Sequence, residues 1–230
     1  MLALRRLYPL VACAGIAMAV VAAVVGQIDP DPYLDPLNLT ISEYAALDRG
    51  GATEFAMACL GIASFALVVG LRAVKAPVGA AAERLMLVWS AALIVIAIVP
   101  TTAPGLALDL TAQVHRYVSV AAFVAMPAAG ALMVARFSED ERWRVVARPV
   151  EWLALVGGFG LLAITYVALP GDRVLIGLVE RALLGAEVAL IGVLAVRLAQ
   201  LTWTRDASRV SRAALGRLVT SHDSFLTGHK

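Results

Sequence analysis

Glu180 and Glu187 stand seven residues apart in a stretch otherwise built almost entirely of leucine, valine, alanine, isoleucine and glycine, with Arg181 beside the first. At 3.6 residues per turn that spacing puts both carboxylates on one helical face, and at 1.5 Å per residue Glu187 lies roughly 15 Å into the stretch. His115 and Arg116 lie one turn inside another apolar stretch, at the depth of Glu180 and Arg181 in theirs, while Asp35 and Glu43 belong to the longest polar segment between two such stretches. These side chains suit ligand binding. Arg116 and Arg181 could hold an anion, and Glu43, Glu180 and Glu187 could set polarity or accept a cation.

Glu187 carries most of that expectation. A charged residue at the centre of a bilayer costs about 2.5–3.5 kcal/mol on insertion scales, so it should face the interior of a helix bundle and find a partner. The expected partners are Arg116 and His115, with Tyr166 as a neutral hydrogen-bond donor. The competing structural reading makes Glu187 a neutral acid bonded to a neighbouring helix, with the shallower charges snorkelling to the interface.

Other chemistry has less to work with. Ser119 lies one turn from His115 on the same helix face, which leaves a membrane-embedded hydrolase open as a third reading. Of the three histidines, His222 and His229 sit near the C-terminus, so a zinc site made of several histidines is not available. No phosphate-binding Walker loop, dinucleotide glycine fingerprint or G-x-S-x-G elbow occurs. Neither a metal nor another cofactor is expected. Glu83–Arg84 and Glu180–Arg181 each open an apolar run three helices apart, a weak sign of the inverted halves found in carriers, which makes a secondary transporter the runner-up. A structural subunit of a membrane complex is the remaining alternative.

The elements that must position these groups follow from composition. The 230 residues are 61% hydrophobic and 16% charged, where soluble domains carry about 25% charged residues. Apolar runs long enough to cross about 30 Å of hydrocarbon appear near 7–26, 53–72, 84–101, 113–135, 150–169 and 177–199. Backbone amides in lipid must be satisfied within their own segment, so these runs are read as helices, and the alternation a barrel needs is missing. The expected fold is an all-α bundle of six transmembrane helices over 1–200, followed by a basic cytoplasmic tail over 201–230. The first run is too long for a secretory signal core and is read as a retained span. Cys13 and Cys59 lie inside apolar runs and imply no disulfide framework.

Threading the chain from an inside start puts 15 lysines and arginines on the cytoplasmic side and leaves Arg49, Arg116, Arg173 and Arg181 on the other. Basic flanks are retained in the cytoplasm, so both termini are expected inside, in an inner (plasma) membrane. Arg205, Arg209, Arg212 and Arg217 suggest an amphipathic helix on the anionic leaflet and not a nucleic-acid site. The prevalence of arginine over lysine points to a GC-rich bacterial genome. In the first outer loop, Pro30, Pro32 and Pro36 stiffen a strap from Asp29 to Pro36. Thr40 followed by Glu43 then fits a capping box that starts a short interfacial helix, and Gly50 and Gly51 end it. The strap could cover an opening or serve only as an interfacial loop anchored by Tyr33 and Tyr44.

The run Tyr33, Leu34, Asp35, Pro36, Leu37, Asn38 with Glu43 and Tyr44 resembles the signature of a bacterial and archaeal membrane family known as the domain of unknown function numbered 998. The His115–Arg116 pair and the Gly177–Arg181 segment support the likeness. The resemblance covers the chain from the first span to about residue 199. It implies a six-helix membrane protein and supplies no catalytic residues. The expected role is binding of a lipid headgroup or small charged ligand in an outward-facing polar pocket, with membrane lipids and another membrane protein as the partner classes.

Overall fold

The computed structural model describes residues 2–26, 34–47, 51–102 and 109–227, with side chains from 6 to 203 within those ranges. Asp29 to Tyr33 of the strap, Asp48 to Gly50, and the side chains of the basic tail lie outside the described residues.

Among the described residues seven helices follow one another: α1 (Leu2–Val25), α2 (Ile41–Leu47), α3 (Ala52–Ala73), α4 (Ala80–Ile98), α5 (Leu110–Glu139), α6 (Arg144–Ala168) and α7 (Ile176–Thr227). All but α2 are long and apolar enough to span a membrane. The chain is therefore an all-α, multi-pass membrane protein. Each span packs on the next in chain order and α7 returns to α1, so the six close into a ring. The backbone of α7 continues helically past its membrane-crossing part, which ends near Trp203, into the basic tail.

Without a hydrophobic drive between helices in lipid, spans associate by close packing, and small residues let backbones approach. Gly61 does this on α3, because a Cβ there would lie 2.9 Å from the Ser90 carbonyl oxygen of α4. Gly130 on α5 admits the Leu190 side chain of α7. Large apolar side chains fill the space so created: Leu67, Met86, Trp89, Met126, Met133, Leu190 and Leu194 are fully buried. At the end of the bundle away from α2, Phe137 and Trp143 stack with ring centroids 5.1 Å apart. Asp140, which links α5 to α6, accepts from the Arg142 guanidinium at 2.9 Å, and the Arg142 carbonyl accepts from Arg197 of α7. Buried hydroxyls are satisfied locally, as where Ser64 and Ser90 donate to carbonyls four residues earlier.

Candidate functional site

The polar side chains of the first inter-span loop gather with those of α7 at one end of the bundle. Thr40 and Glu43 make the expected capping box: the Thr40 amide donates to Glu43 Oε2 at 3.0 Å, and the Glu43 amide donates to Thr40 Oγ1 at 3.1 Å. Arg173 then donates to both oxygens of Glu43, at 2.6 and 2.7 Å. Arg181 Nη1 reaches the carbonyls of Pro36 (2.6 Å) and Leu39 (2.9 Å), and its guanidinium lies 5.6 Å from the centre of the Tyr44 ring. The Leu178 amide donates to the Leu37 carbonyl, and the Leu175 amide to Asn38 Oδ1 at 2.8 Å. Leu175 has a φ of 63°, a conformation that costs a non-glycine residue about 1–2 kcal/mol. Asn38 helps hold it there.

Asp35 accepts from the Leu37 amide and the Asn38 amide group, and the Asn38 bond holds its carboxyl below the usual range. Asp35, Glu43 and Arg181 thus secure the loop, and their charged groups are already engaged by protein.

Beneath α2 lies a cavity of about 340 Å³. Its wall includes Ser42 from α2, Glu54 from α3, Trp89 from α4, His115 from α5, and Glu180 and Glu187 from α7. Glu180 is buried and accepts from the Ile41 amide at 2.6 Å, so it ties the first turn of α2 to α7. Glu187 is 2% exposed, as its depth in the sequence predicts. Its partner is none of the three expected. Trp89 Nε1 donates to Glu187 Oε2 at 3.2 Å, while Oε1 is buried without a hydrogen-bond partner among the described residues. Arg116 is exposed on the outer surface of α5 and makes no hydrogen bond or ion pair among the described residues, and Tyr166 is exposed on α6. His115 reaches a different group.

The imidazole of His115 has a partner on each nitrogen. Nδ1 lies 2.6 Å from the Val99 carbonyl oxygen, and Nε2 lies 2.9 Å from Ser42 Oγ. A carbonyl can only accept, so Nδ1 carries a proton, and in the Nδ1–H tautomer Nε2 is the acceptor for the Ser42 hydroxyl. Ser119, the expected partner, instead donates to the backbone carbonyl of His115 at 2.9 Å, an ordinary intrahelical bond. A serine–histidine pair does form, with Ser42 in place of Ser119. Among the described residues no three histidine, cysteine, aspartate or glutamate side chains gather as a metal site.

A second space, an apolar groove of about 720 Å³, runs between α1, α3 and α7. Val20, Leu60 and Val188 line its length, and Tyr44 and Arg181 also contribute to its wall. Ile41, Thr53, Met57 and Leu184 line both spaces, so the groove and the polar cavity adjoin.

Sequence reasoning singled out Glu187 and Glu180 and missed Ser42 and Trp89. Trp89 is one of four tryptophans and sits in mid-span, a position its apolar neighbours alone do not explain. Ser42 carried no signal of its own beyond lying two residues after a helix cap.

No curated protein and no solved structure shows a match. Residues 12–197, which take in all six apolar spans in whole or part and every residue of the cavity, match the family described as "Protein of unknown function (DUF998)". The chain belongs to that family of membrane-spanning helical proteins.

Proposed function

We propose that the protein binds a single-chain or double-chain membrane amphiphile, with its head in the polar cavity and a chain in the adjoining groove. The observation that carries this reading is the second carboxyl oxygen of Glu187, buried and unpartnered among the described residues, in a residue of the cavity wall. A buried oxygen left without a donor costs about 1–3 kcal/mol or more. A ligand that donates a hydrogen bond there would recover that energy.

The cavity's charges narrow the head chemistry. Among the described residues its ionisable groups are Glu54, Glu180, Glu187 and His115, whereas Arg116 is exposed elsewhere and Arg181 is engaged by carbonyls. Carboxylates favour a primary amine or hydroxyl over a bare anion. The adjoining groove supplies apolar length for a chain. The preferred class is therefore a lipid with an amine-bearing head. The biased distribution of basic residues supports placing the α2 end at the outer face of a cell membrane, where the outer leaflet would supply such a lipid.

Native mass spectrometry of the full chain, released from detergent after incubation with phosphatidylethanolamine or phosphatidylglycerol, tests the reading. Preferential retention of phosphatidylethanolamine is expected, weakened in Glu187→Gln and in Gly185→Leu. Gly185 lines the groove and a Cβ there would meet no neighbouring atom within 4 Å, so a larger side chain starts out in groove space. Equal retention of both lipids by all three proteins would rule the proposal out.

A further inference from the structure

We infer that Ser42 and His115 are a nucleophile and its general base, acting on an ester bond of the amphiphile held in the cavity. The inference rests on the binding reading above and adds a reaction to it. Its geometric basis is the chain of Ser42 hydroxyl, His115 imidazole and Val99 carbonyl, with separations of 2.9 and 2.6 Å. A serine becomes a competent nucleophile when a neighbouring base accepts its proton and a third group fixes that base's tautomer and orientation. Here the third group is a backbone carbonyl, which holds Nδ1–H and leaves Nε2 free to take the Ser42 proton.

The surroundings fit this use. Ser42 and His115 both line the cavity, and the apolar groove adjoins it, so an acyl chain in the groove would bring its ester towards the pair. Among the described residues the other ionisable groups of the cavity wall are the carboxyl groups of Glu54, Glu180 and Glu187, none of which adds positive charge beside the imidazolium formed during reaction. Thr53 and Thr101 also line the cavity, and their hydroxyls make no hydrogen bond among the described residues. They are the donors available to the ester oxygen as it gains charge. Ser42 is not needed as a latch, because α2 is already fixed to α7 through Glu180, and to the turn before it through Glu43 and Arg173.

The reaction balances with water as the co-reactant. Ser42 Oγ attacks the carbonyl carbon as its proton passes to His115 Nε2. The resulting tetrahedral adduct expels the alcohol, which leaves with that proton as the ester C–O bond breaks, and the acyl group stays on Ser42. Water then gives a proton to Nε2 and attacks the acyl carbon, and the Ser42–acyl bond breaks with the proton returned to Oγ. One ester and one water become one carboxylic acid and one alcohol.

The test is to incubate the full chain in detergent with a long-chain alkyl fluorophosphonate, which phosphonylates activated serines, and to map the adduct by peptide mass spectrometry. Labelling at Ser42 is expected, with Ser119→Ala labelled as fast as the unaltered chain. Ser42→Ala should remain unlabelled, and His115→Gln should label at least ~100-fold more slowly, the lower range for loss of a general base. Phosphatidylethanolamine retention is measured on the same samples. An unlabelled chain that retains the lipid overturns the reaction and leaves the binding reading standing. A chain labelled only at another serine also overturns it. A chain that neither labels nor retains lipid sinks both.

Discussion

Trp89 of α4 donates its indole hydrogen to one oxygen of Glu187 on α7, 3.2 Å away, across a gap of 98 residues in sequence. The bond joins two spans on the wall of the polar cavity and satisfies half of a buried carboxyl group. The other oxygen has no partner among the described residues, and on the proposed reading it is the one that meets the ligand.

Substitutions at Glu187 separate those two roles. Glu187→Gln keeps an oxygen for Trp89 and should unfold within about 1 kcal/mol of the unaltered chain, while losing its preference for an amine head. Glu187→Leu leaves the buried indole donor without an acceptor and should destabilise by about 1–3 kcal/mol. Thermal unfolding in detergent, with and without phosphatidylethanolamine, reads both effects. Equal stability of the glutamine and leucine variants would show that the Trp89 bond contributes nothing.

Glu43 has a structural part to play through Arg173 and the Thr40 cap. A double-mutant cycle over Glu43→Gln and Arg173→Gln should give a coupling of about 0.2–1 kcal/mol, since the arginine is half-exposed. Lipid retention should persist in Arg173→Gln. Loss of binding in that variant alone would mean that the cavity depends on this ion pair more than its place outside the wall implies.

Gly177 and Gly185 are both on α7, yet only the first is crowded. A Cβ at 177 would run into the carbonyl oxygens of Pro36 and Leu39, which belong to a backbone that cannot swing aside. Gly177→Ala should therefore lift the loop and cost about 1–3 kcal/mol, the usual price of overpacking. Gly185→Ala, with open space around it, should stay within about 0.5 kcal/mol of the unaltered chain. Unfolding curves for the pair settle the comparison, and similar losses in both would contradict the close approach.

Asp140 supplies a pH dependence at the other end of the bundle. Its hydrogen bond from Arg142 holds its carboxyl below the ordinary aspartate value, so the folded state binds that proton less readily than the unfolded chain. The resulting stabilisation is complete above the ordinary value, about pH 3.9, and disappears as pH falls through the lowered folded value. Asp140→Asn should accordingly be less stable than the unaltered chain at pH 7, with the difference closing below about pH 4. A gap that stayed constant with acidification would exclude this linkage.

Orientation can be tested through two exposed turns at opposite ends. In a chain with Cys13 and Cys59 replaced by alanine, Asp172→Cys should react with an impermeant maleimide on intact cells. Glu141→Cys should react only after the membrane is opened. The reverse pattern would invert the proposed topology.

Hydropathy identified the spans because length and apolar composition are properties of one segment at a time. It placed their ends less well. The expected run 113–135 is the centre of Leu110–Glu139, since the Asp109 side chain caps the Ala112 amide and helix continues past Arg136. The run 150–169 likewise begins earlier, at Arg144, in a polar turn that hydropathy ignores. At the site, depth alone predicted that Glu187 is buried, and the Thr40–Glu43 spacing predicted a cap. What could not be read were contacts made by folding back: Ser42 with His115 across 73 positions, and Trp89 with Glu187. The charge of Arg181 suggested an anion, but it is the carbonyls of the first loop that use it.

The ties between the first loop and α7 also decide how a guest could come and go. To pass through the roof it would have to part Ile41 from Glu180 and Arg181 from two carbonyls, and it would carry Ser42 away from the imidazole it needs. A guest that slides sideways from the lipid, between the first and last spans, disturbs none of these bonds. On the proposed reading, the route that leaves these bonds intact is through the wall, along the apolar groove.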